Sequence, residues 1–357
     1  MKKKRRISVM IAAVLACTLL SACGGSQPAA STAAATGASG SGNTGSAAVG
    51  TLSLLNMTEE EYHTLLNTRQ TAWEYLKAQG VLKTTGSSDS MPAGAEVKFY
   101  DTLDAMIMAL ESGDVSMAEL PKCTADYLCA HNDKLEEKRY YDMNKADDFA
   151  KKVINRMGVG YSFMMKDDKT ALRDEFDKAI SDMKSDGTLN KLIKNYINEG
   201  VFTEQKEVEF NNTYGDTLKI AVTGSLPPMD FVAPDGKFAG FNTAILAELG
   251  NRLKKNIELV QVDSMGRAAA LSSGRVDVVF WTSGANEADA GSRLTNEEHE
   301  KFVEEKRKNG TEEHSRIMKS ISEGMSYEKT EKKDQPDGTI ITAPYYSDVL
   351  VLVGRKG

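Results

Sequence analysis

Two short phrases of the sequence, more than 150 residues apart, are nearly the same. ALESGDV occupies residues 109–115 and ALSSGRV occupies residues 270–276. Each follows a stretch with helical spacing of apolar residues, and Gly113 and Gly274 stand where a helix would end in a left-handed cap. The repeat predicts one helix–Gly–strand junction used twice, in two lobes built on one plan. A chance repeat of a common junction is the alternative.

Strand-like and helix-like segments alternate along the chain. LKIAV from Leu218 predicts a strand, FNTAILAELGNRLKK from Phe241 predicts an amphipathic helix, and RVDVVFW from Arg275 predicts a buried strand. The part of the chain before Leu218 shows the same alternation of strand-like and helix-like segments, for example with the strand-like EVKFY from Glu96. Such alternation predicts an α/β protein with parallel-rich sheets wrapped by helices.

Charge and the histidines exclude several function classes. The 51 acidic residues outnumber the 44 basic ones, a net charge of −7, which argues against nucleic acid as a partner. The four histidines are scattered, without a zinc-protease motif or a nucleophile elbow. We therefore expect no enzyme, no cofactor and no metal; the one catalytic alternative pairs Glu119 with Asp230.

The first fifty residues predict a secretion signal followed by a tether. Basic residues 2–6 precede an apolar run, residues 7–20, which is too short for a comfortable membrane span and is typical of a secretory signal. LSAC, which ends at Cys23, resembles the lipobox of bacterial lipoproteins, and the resemblance implies that Cys23 is lipidated. An ordinary signal peptide is the alternative. Residues 24–50, nearly free of charge and large apolar groups, predict a disordered tether to an extracytoplasmic body.

Cys123 and Cys129 are six residues apart in CTADYLC. On a helix they would lie on different faces, so a disulfide between them would require a break. A metal site with His131 lacks a second ligand pair at zinc spacing. Buried or idle thiols are the favoured interpretation.

Residues 218–281 carry three motifs together. They contain a PP-x-[DE]-F loop from Pro227, a DG-x-x-x-G-[FY] turn from Asp235 and an AL-x-SG-[RK]-VDV junction from Ala270. This combination resembles the first lobe of the family 3 solute-binding proteins, the extracytoplasmic amino-acid receptors of ABC transporters. The resemblance implies a two-lobed, type II periplasmic-binding-protein-like fold. It also implies a lipid-anchored receptor that closes about a hinge on a small polar solute, amino-acid-like, and delivers it to an ABC transporter permease.

The segments stand in an unusual order, because the part resembling the second lobe comes first. We interpret the chain as one circularly permuted binding protein; the alternative is two incomplete domains completed by swapping between chains. A divergent cleft that serves as a sensor or partner-binding module is the second functional alternative. The predicted segments are a signal peptide (1–23), a tether (24–50), a second-lobe-like domain (51–150), a return segment (151–214), a first-lobe-like domain (215–290), a charged helical insertion (291–338) and an exit strand (339–357).

The resemblance implies an aromatic platform, an Arg for a carboxylate and an acid for an ammonium group. This chain departs from that pattern, so the candidates are substitutes. Core packing is the alternative for the aromatic candidates, helix capping for the threonine at the predicted helix start, a solvated charge for the arginine and an ordinary strand carboxylate for the glutamate. The candidate ligand-binding residues are Met229, Asp230, Phe231, Trp281, Thr282, Ser283, Arg293, Gln70, Thr71 and Glu119.

The insertion at 291–338 is dense in mixed charge and begins with a capping-box pattern, Thr295 and Glu298. It predicts a pair of solvated helices. A lid or docking surface beside the cleft is one role, and packing against lobe one without a function of its own is the other.

Overall fold

The computed structural model describes residues 48–52, 59–85, 95–202, 207–283, 312–331 and 336–357. Cys23, Arg293, the capping-box pattern and the first helix predicted for the insertion lie outside these ranges. The described residues from 48 onwards form two α/β lobes, which confirms the predicted fold class. We call the lobe that contains residues 217–283 lobe one and the lobe that contains residues 49–141 lobe two.

Lobe one is built on a sheet with the order β11-β7-β12-β6-β13, and β14 also pairs with β6. A small antiparallel sheet, β10-β9-β8, lies at the end of β7. The strands are β6 (Val159–Lys166), β7 (Thr217–Val222), β8 (Ser225–Leu226), β9 (Asp230–Val232), β10 (Phe238–Ala239), β11 (Asn256–Gln261), β12 (Val278–Ser283), β13 (Thr339–Ile341) and β14 (Tyr346–Asp348). The helices are α5 (Thr170–Ser185), α6 (Thr188–Leu192), α7 (Phe241–Leu253) and α8 (Arg267–Ser272), with a π-helical turn (Ile193–Asn198) and short 3₁₀ turns (Gly200–Phe202 and Ser264–Gly266).

Lobe two is built on a sheet with the order β2-β5-β15-β4-β1-β3. The strands are β1 (Val49–Leu52), β2 (Leu82–Thr84), β3 (Val97–Tyr100), β4 (Met117–Pro121), β5 (Leu135–Tyr141) and β15 (Leu350–Arg355). The helices are α1 (Glu59–Ala78), α2 (Leu103–Ser112), α3 (Lys122–His131), α4 (Asp148–Arg156) and α9 (Glu312–Glu331). Strand β1 begins at Val49, within two residues of the predicted end of the tether at Gly50.

The two large sheets follow one plan. In lobe one, β7 lies between parallel neighbours β11 and β12, and the next strand, β6, is antiparallel. In lobe two, β1 lies between parallel neighbours β3 and β4, and the next strand, β15, is antiparallel. Each antiparallel strand follows, along the chain, the segment that builds the other lobe. This arrangement is the type II two-lobed architecture that the sequence predicted.

The repeated phrases occupy equivalent points of the two sheets. Gly113 and Gly274 have φ values of 90° and 75°, which favour glycine. The amide of Val115 donates to the carbonyl of Ala109 (3.2 Å), and the amide of Val276 donates to that of Ala270 (3.3 Å). Both junctions lead into the third strand of their sheet, β4 or β12. The predicted helix–Gly–strand repeat is therefore confirmed.

In the described residues, two of the chain's crossings between the lobes lie side by side. One passes through residues 157–158, between α4 of lobe two and β6 of lobe one; the other passes through Val349, between β14 and β15. The crossings are neighbours because Asp348 pairs with Val159. Two adjacent connections of this kind form a hinge.

Helix α9, the described part of the insertion, packs on lobe two. It lies against α1 and α4, and its Ile317 and Ile321 are buried in the lobe-two core. His314 stacks on Phe149 with a ring-centroid distance of 3.8 Å. The strands that flank the insertion, β12 and β13, both belong to the large sheet of lobe one. The predicted packing of the insertion against lobe one is therefore wrong for α9.

Each lobe has its own apolar core. The main lobe-one core lies between the sheet and helices α5 and α7, and it includes Phe163, Phe176 and Phe241. Lobe two is filled on both faces of its sheet, with Trp73 and Leu76 on one side and Met106 and Leu110 on the other. Among the helices of the described residues, we find none long and apolar enough to cross a membrane.

Candidate functional site

A cavity lies between the lobes at the ends of their central strands. Lobe two contributes Leu52 at the end of β1 and the first residues of α2. Lobe one contributes the ends of β7 and β12, part of β6 and the residues that support them. The principal polar lining residues are Asp101, Thr102, Tyr161, Thr223, Ser225, Asp230, Asn242, Ser264, Arg267 and Thr282.

Asp230 is buried in the wall of the cavity, and its carboxylate oxygens accept hydrogen bonds from other groups of the protein. Its Oδ2 accepts from the Thr223 amide (2.8 Å), the Thr223 hydroxyl (2.6 Å) and the Gly224 amide (3.0 Å). Its Oδ1 accepts from Asn242 Nδ2 (3.1 Å). Burial raises the pKa of Asp230, although these donors favour its charged form. The carboxyl group thus shapes the wall and is largely committed to its own network.

The network continues away from the cavity. The hydroxyl of Tyr345 donates to Asn242 Oδ1 (2.7 Å), which orients the amide so that its nitrogen faces Asp230. Tyr345 is itself fully enclosed in the lobe-one core. A satisfied chain of this kind holds its members in one geometry, so the loop that carries Asp230 is a rigid part of the site.

Arg267, at the start of α8, is a buried cation in the cavity wall. Its exposed fraction is 5%; Nε donates to the Ser264 carbonyl (3.0 Å) and Nη1 donates to the Phe280 carbonyl (2.8 Å). Its guanidinium lies 5.5 Å from the centre of the Trp281 ring. Burial lowers the pKa of Arg267, and the charge of Asp230 acts in the opposite direction. Among the described residues, no carboxylate forms an ion pair with this guanidinium.

Tyr161 and Thr282 are opposite each other on the paired strands β6 and β12, and both line the cavity. Their exposed fractions are 3% and 7%. Neither hydroxyl has a hydrogen-bond partner within the described part of the chain. A buried hydroxyl without a partner is costly, on the order of 1–3 kcal/mol. These two groups are therefore available to a polar group placed in the cavity.

The lobe-two wall is the N-terminal end of α2. Thr102 is the N-cap, and its Oγ1 accepts from the Ala105 amide (3.2 Å). The first amides of a helix lack partners within the helix, and they lie at its positive end. Asp101, just before the cap, is exposed and lines the same cavity. Lobe two therefore presents the start of a helix and one carboxylate to the cavity.

The loop candidates Met229, Asp230 and Phe231 separate in the structure. Asp230 lines the cavity, and its role with a ligand stays a prediction. Met229 is buried in the core and contacts the Cys123 thiol of lobe two, with the two sulfur atoms 3.8 Å apart. The Phe231 ring is 6.1 Å from that of Tyr127. Neither Met229 nor Phe231 is among the residues that line the cavity.

The candidates at the end of β12 lie on opposite faces of the sheet, because successive side chains of a strand alternate between its two faces. Phe280 and Thr282 line the cavity, whereas Trp281 packs beside Val260 and Ile341 on the other face of the sheet. The prediction of Trp281 as a platform in this cavity is therefore wrong. Ser283 ends the strand and pairs with Gly160, and its side chain lies outside the described atoms.

Glu119, predicted as the acid for an ammonium group, is committed elsewhere. It is buried under α1 and forms an ion pair with Arg139 (3.2 Å), whose guanidinium lies 4.4 Å from the Trp73 ring centre. Glu119 does not line the cavity. Its side chain follows Met117 and Pro121 along one face of β4, opposite Leu120, which belongs to the other core.

Gln70 and Thr71 were predicted at the start of a helix that cradles an anion. They lie instead in the middle of α1, which runs from Glu59 to Ala78. Gln70 is exposed and donates to Glu74 (3.2 Å). Because mid-helix amides are used within the helix, this prediction is wrong. Arg293, the predicted carboxylate clamp, lies outside the described residues.

Cys123 and Cys129 are free thiols on α3, as predicted. Cys123 is buried at the contact of the lobes, and burial raises the pKa of its thiol well above the ordinary value. Burial also raises the pKa of Cys129, to about 11. Neither thiol is activated as a nucleophile. Within the described ranges, no three metal-ligating side chains come together.

Sequence reasoning missed Arg267 and Tyr161. Arg267 was the only charge in the run from Ser264 to Gly274, at the head of an alanine-rich helix. Tyr161 interrupts the apolar run of β6 with a hydroxyl. A lone charge in a segment that is otherwise typical of a core is the signal that could have identified Arg267; Tyr161 gives no comparable signal, because Ser162 beside it also carries a hydroxyl.

Comparisons with known proteins support the interpretation of lobe one. Residues 218–289 match the family described as bacterial extracellular solute-binding proteins, family 3. The L-cystine-binding protein TcyJ of Escherichia coli (strain K12) is 31% identical over 88 residues, which are 25% of this chain and 30% of that protein. TcyJ of E. coli O6:H1 (strain CFT073) gives the same values. The chain therefore spans about 30% of the length of these curated relatives.

Solved structures of binding proteins also match, at low identity. An ancestral arginine-binding protein bound to arginine is 11% identical, with a TM-score of 0.32, and the match covers 87% of this chain and 84% of that one. A phosphate-binding protein from Streptococcus pneumoniae TIGR4 is 10% identical, with a TM-score of 0.31, and the match covers 87% and 90%.

The strand order and the family match define a class of protein. The fold is that of the two-lobed, type II binding proteins. Residues 218–289 match the model of the family 3 solute-binding proteins, in agreement with the resemblance seen in the sequence over this range.

Proposed function

We propose that this protein is an extracytoplasmic solute-binding protein that holds a small polar, amino-acid-like solute between its lobes and closes on it about the hinge. One observation carries the proposal: a polar cavity is lined from both lobes and contains two buried hydroxyls without partners. A cavity at a topological switch point of an α/β sheet is a typical ligand site. Among the described residues that line the cavity, none is an activated nucleophile, and we propose binding without catalysis.

The transport role and the anchor belong to the same proposal. The family match and the curated relatives, which are named as binding proteins for L-cystine, support a receptor that delivers its solute to an ABC transporter permease. The signal-like residues 2–20 and the LSAC motif support lipidation at Cys23 and attachment to the cell membrane. Labelling cells with a radioactive fatty acid tests the anchor: the wild-type protein should be labelled, and Cys23→Ala should not.

We also interpret the chain as a circularly permuted binding protein. The strand that leaves lobe one, β15, lies in the lobe-two sheet one strand away from β1, where lobe two begins. Gel filtration with light scattering separates this interpretation from two swapped half-domains. A permuted protein is a monomer of about 39 kDa or less, from the 38.9 kDa chain, and swapped halves require a dimer.

A thermal-shift screen tests the binding function. The probes are the twenty amino acids, L-cystine and small organic acids and amines, because a solute that binds only the folded form must raise the melting temperature. The expected result is a concentration-dependent rise for a subset of amino acids. Absence of any rise, confirmed by calorimetry, would favour the alternative of a divergent cleft that serves as a sensor or partner-binding module.

A further inference from the structure

The cavity wall carries a buried positive charge without an ion-pair contact in the described residues, at a position that neither the sequence motifs nor the family match indicated. Arg267 is buried to all but 5%, lines the cavity and has no ion-pair partner within the described residues. A buried charge is expensive unless it is paired, and two backbone carbonyls satisfy only part of a guanidinium group with five donors. An anion bound in the cavity would supply the missing ion-pair partner of Arg267.

The nearby carboxylates are not free to serve as that anion. Asp230 accepts four hydrogen bonds from Thr223, Gly224 and Asn242, and it forms no ion pair with Arg267. Glu119 is held by Arg139 in the lobe-two core. The other carboxylate that lines the cavity, Asp101, belongs to the opposite lobe and is exposed.

Two unpartnered hydroxyls stand on the same wall as Arg267. Its Nη1 donates to the backbone carbonyl of Phe280, two residues before Thr282 on β12, so Arg267 lies beside the end of that strand, and both residues line the cavity. Tyr161 is the cross-strand partner of Thr282. One guanidinium and two hydroxyls, all buried and all lining the cavity, form a built set of donors.

We propose that Arg267 binds the anionic oxygens of the solute, a carboxylate, and that the hydroxyls of Tyr161 and Thr282 complete this subsite. The inference rests on the proposed binding function and deepens it, because it assigns the selectivity of the site to lobe one and to the head of α8. The guanidinium fork matches a carboxylate in two places, whereas the hydroxyls each supply one donor. Solutes without a carboxylate should leave the charge of Arg267 unpaired and bind poorly.

The test compares ligands that differ only in the carboxylate. L-arginine is compared with agmatine and L-cystine with cystamine, by calorimetry on the purified full-length protein; any other amino acid that the screen identifies is compared with its carboxamide. Sodium acetate against an equal concentration of sodium chloride serves as a probe that does not depend on the identity of the solute. The carboxylate should bind on the order of 100-fold more tightly than its matched amine or amide.

Two kinds of variant give the test a structural control. Arg267→Gln should lower the affinity for the carboxylate on the order of 100-fold, whereas Arg275→Gln, which removes an exposed arginine from the other end of the same segment, should leave it within two-fold. Thr282→Val and Tyr161→Phe should each lower the affinity about ten-fold without lowering the melting temperature, because the hydroxyls that they remove have no partner in the protein. The latter pair keeps the test decisive if Arg267→Gln fails to fold.

The outcomes separate the inference from the function. If a carboxylate solute binds and neither Arg267→Gln nor the two hydroxyl variants weaken it, the inference is overturned and the binding function stands. If the matched amine or amide binds as tightly as the carboxylate, the inference is likewise overturned. If no solute in the screen binds, the proposed function fails; the acetate probe then decides the inference alone, and an equal melting temperature in acetate and chloride overturns it.

Discussion

Gly354 and Val49 both pair with Met117, from opposite sides of β4. Because neighbouring strands lie about 4.8 Å apart, the backbones of these two residues are separated by about 10 Å. The strand that follows lobe one therefore ends beside the strand that begins lobe two. A short loop is long enough to connect these two points.

This proximity predicts that the chain tolerates a new order. A variant that joins residue 357 to residue 48 by a short Gly-Ser linker, and that is opened between Phe202 and Glu207, should fold with a melting temperature within a few degrees of the wild type. Circular dichroism melts and gel filtration measure this. A matched control opened inside β7, between Ile220 and Ala221, should not fold. A relinked chain that aggregates as the control does would contradict the permuted interpretation.

The two buried tyrosines of the site should respond oppositely to loss of the hydroxyl. Tyr345→Phe removes the hydrogen bond to Asn242 Oδ1 (2.7 Å) and leaves that oxygen buried, so the free energy of unfolding should fall by about 1–3 kcal/mol. Tyr161→Phe removes a hydroxyl without a partner and should leave stability unchanged or raised. Urea titration of both variants measures the difference. Equal losses would show that Tyr161 is already partnered in the protein.

Asp348 predicts a pH dependence at the hinge. It lies beside the crossing at Val349, where its carboxylate accepts from the amides of Val349 (2.8 Å) and Cys123 (2.8 Å). Burial raises its pKa from 3.8 to about 6, with those amides acting in the opposite direction. The groups that face it include Cys123 and the hydroxyl of Tyr346, with the charge of Asp126 nearby.

The direction of this pH dependence follows from the linkage between proton binding and folding. Between about pH 4 and pH 6 the folded protein binds a proton that the unfolded chain has released, so this group stabilises the fold at low pH and that stabilisation is lost as pH rises through about 6. Through this group, the free energy of unfolding should fall by about 3 kcal/mol in total as the pH rises over this range. Asp348→Asn should lack it, so the stability difference between the variant and the wild type should move in favour of the variant between pH 4.5 and pH 7.5. A difference that stays constant with pH, by urea titration, would contradict the assignment.

Helix α9 should contribute to the stability of lobe two. Ile317→Ala removes a fully buried side chain from the contact with α1 and should cost about 2–4 kcal/mol. Arg316→Ala, at an exposed neighbouring position of the same helix, should change stability by less than about 0.5 kcal/mol. Urea titration compares the two variants. A loss at Ile317 as small as that at Arg316 would mean that α9 does not pack on this core.

The fold could be predicted because its signals are local. Alternating strands and helices from Leu218 onwards, and the glycines at 113 and 274, follow from periodicity and from the conformations that glycine permits. The assignment of α9 could not be predicted in this way. Its apolar stripe, with Ile317 and Ile321, shows that one face is buried, but nothing in the stripe states which lobe covers it.

The site was less predictable because it depends on which face of a strand each side chain occupies and on contacts with residues distant in the sequence. Trp281 and Thr282 are adjacent in the sequence, and only the register of β12 places Thr282 towards the cavity. Glu119 is an acid in the expected strand, but Arg139, which neutralises it, comes from another strand. Arg267 was overlooked because an arginine at the head of a helix usually lies in solvent; the strands beside α8 bury it.

The central claim is that a solute lies between the lobes and contacts both. Calorimetric titration of one carboxylate solute into the wild type, Thr282→Val in lobe one and Asp101→Asn in lobe two measures this directly. The account predicts weaker binding in both variants, about ten-fold in Thr282→Val and several-fold in Asp101→Asn because Asp101 is exposed. Binding that is weakened by neither change, or by a change in one lobe only, would contradict it.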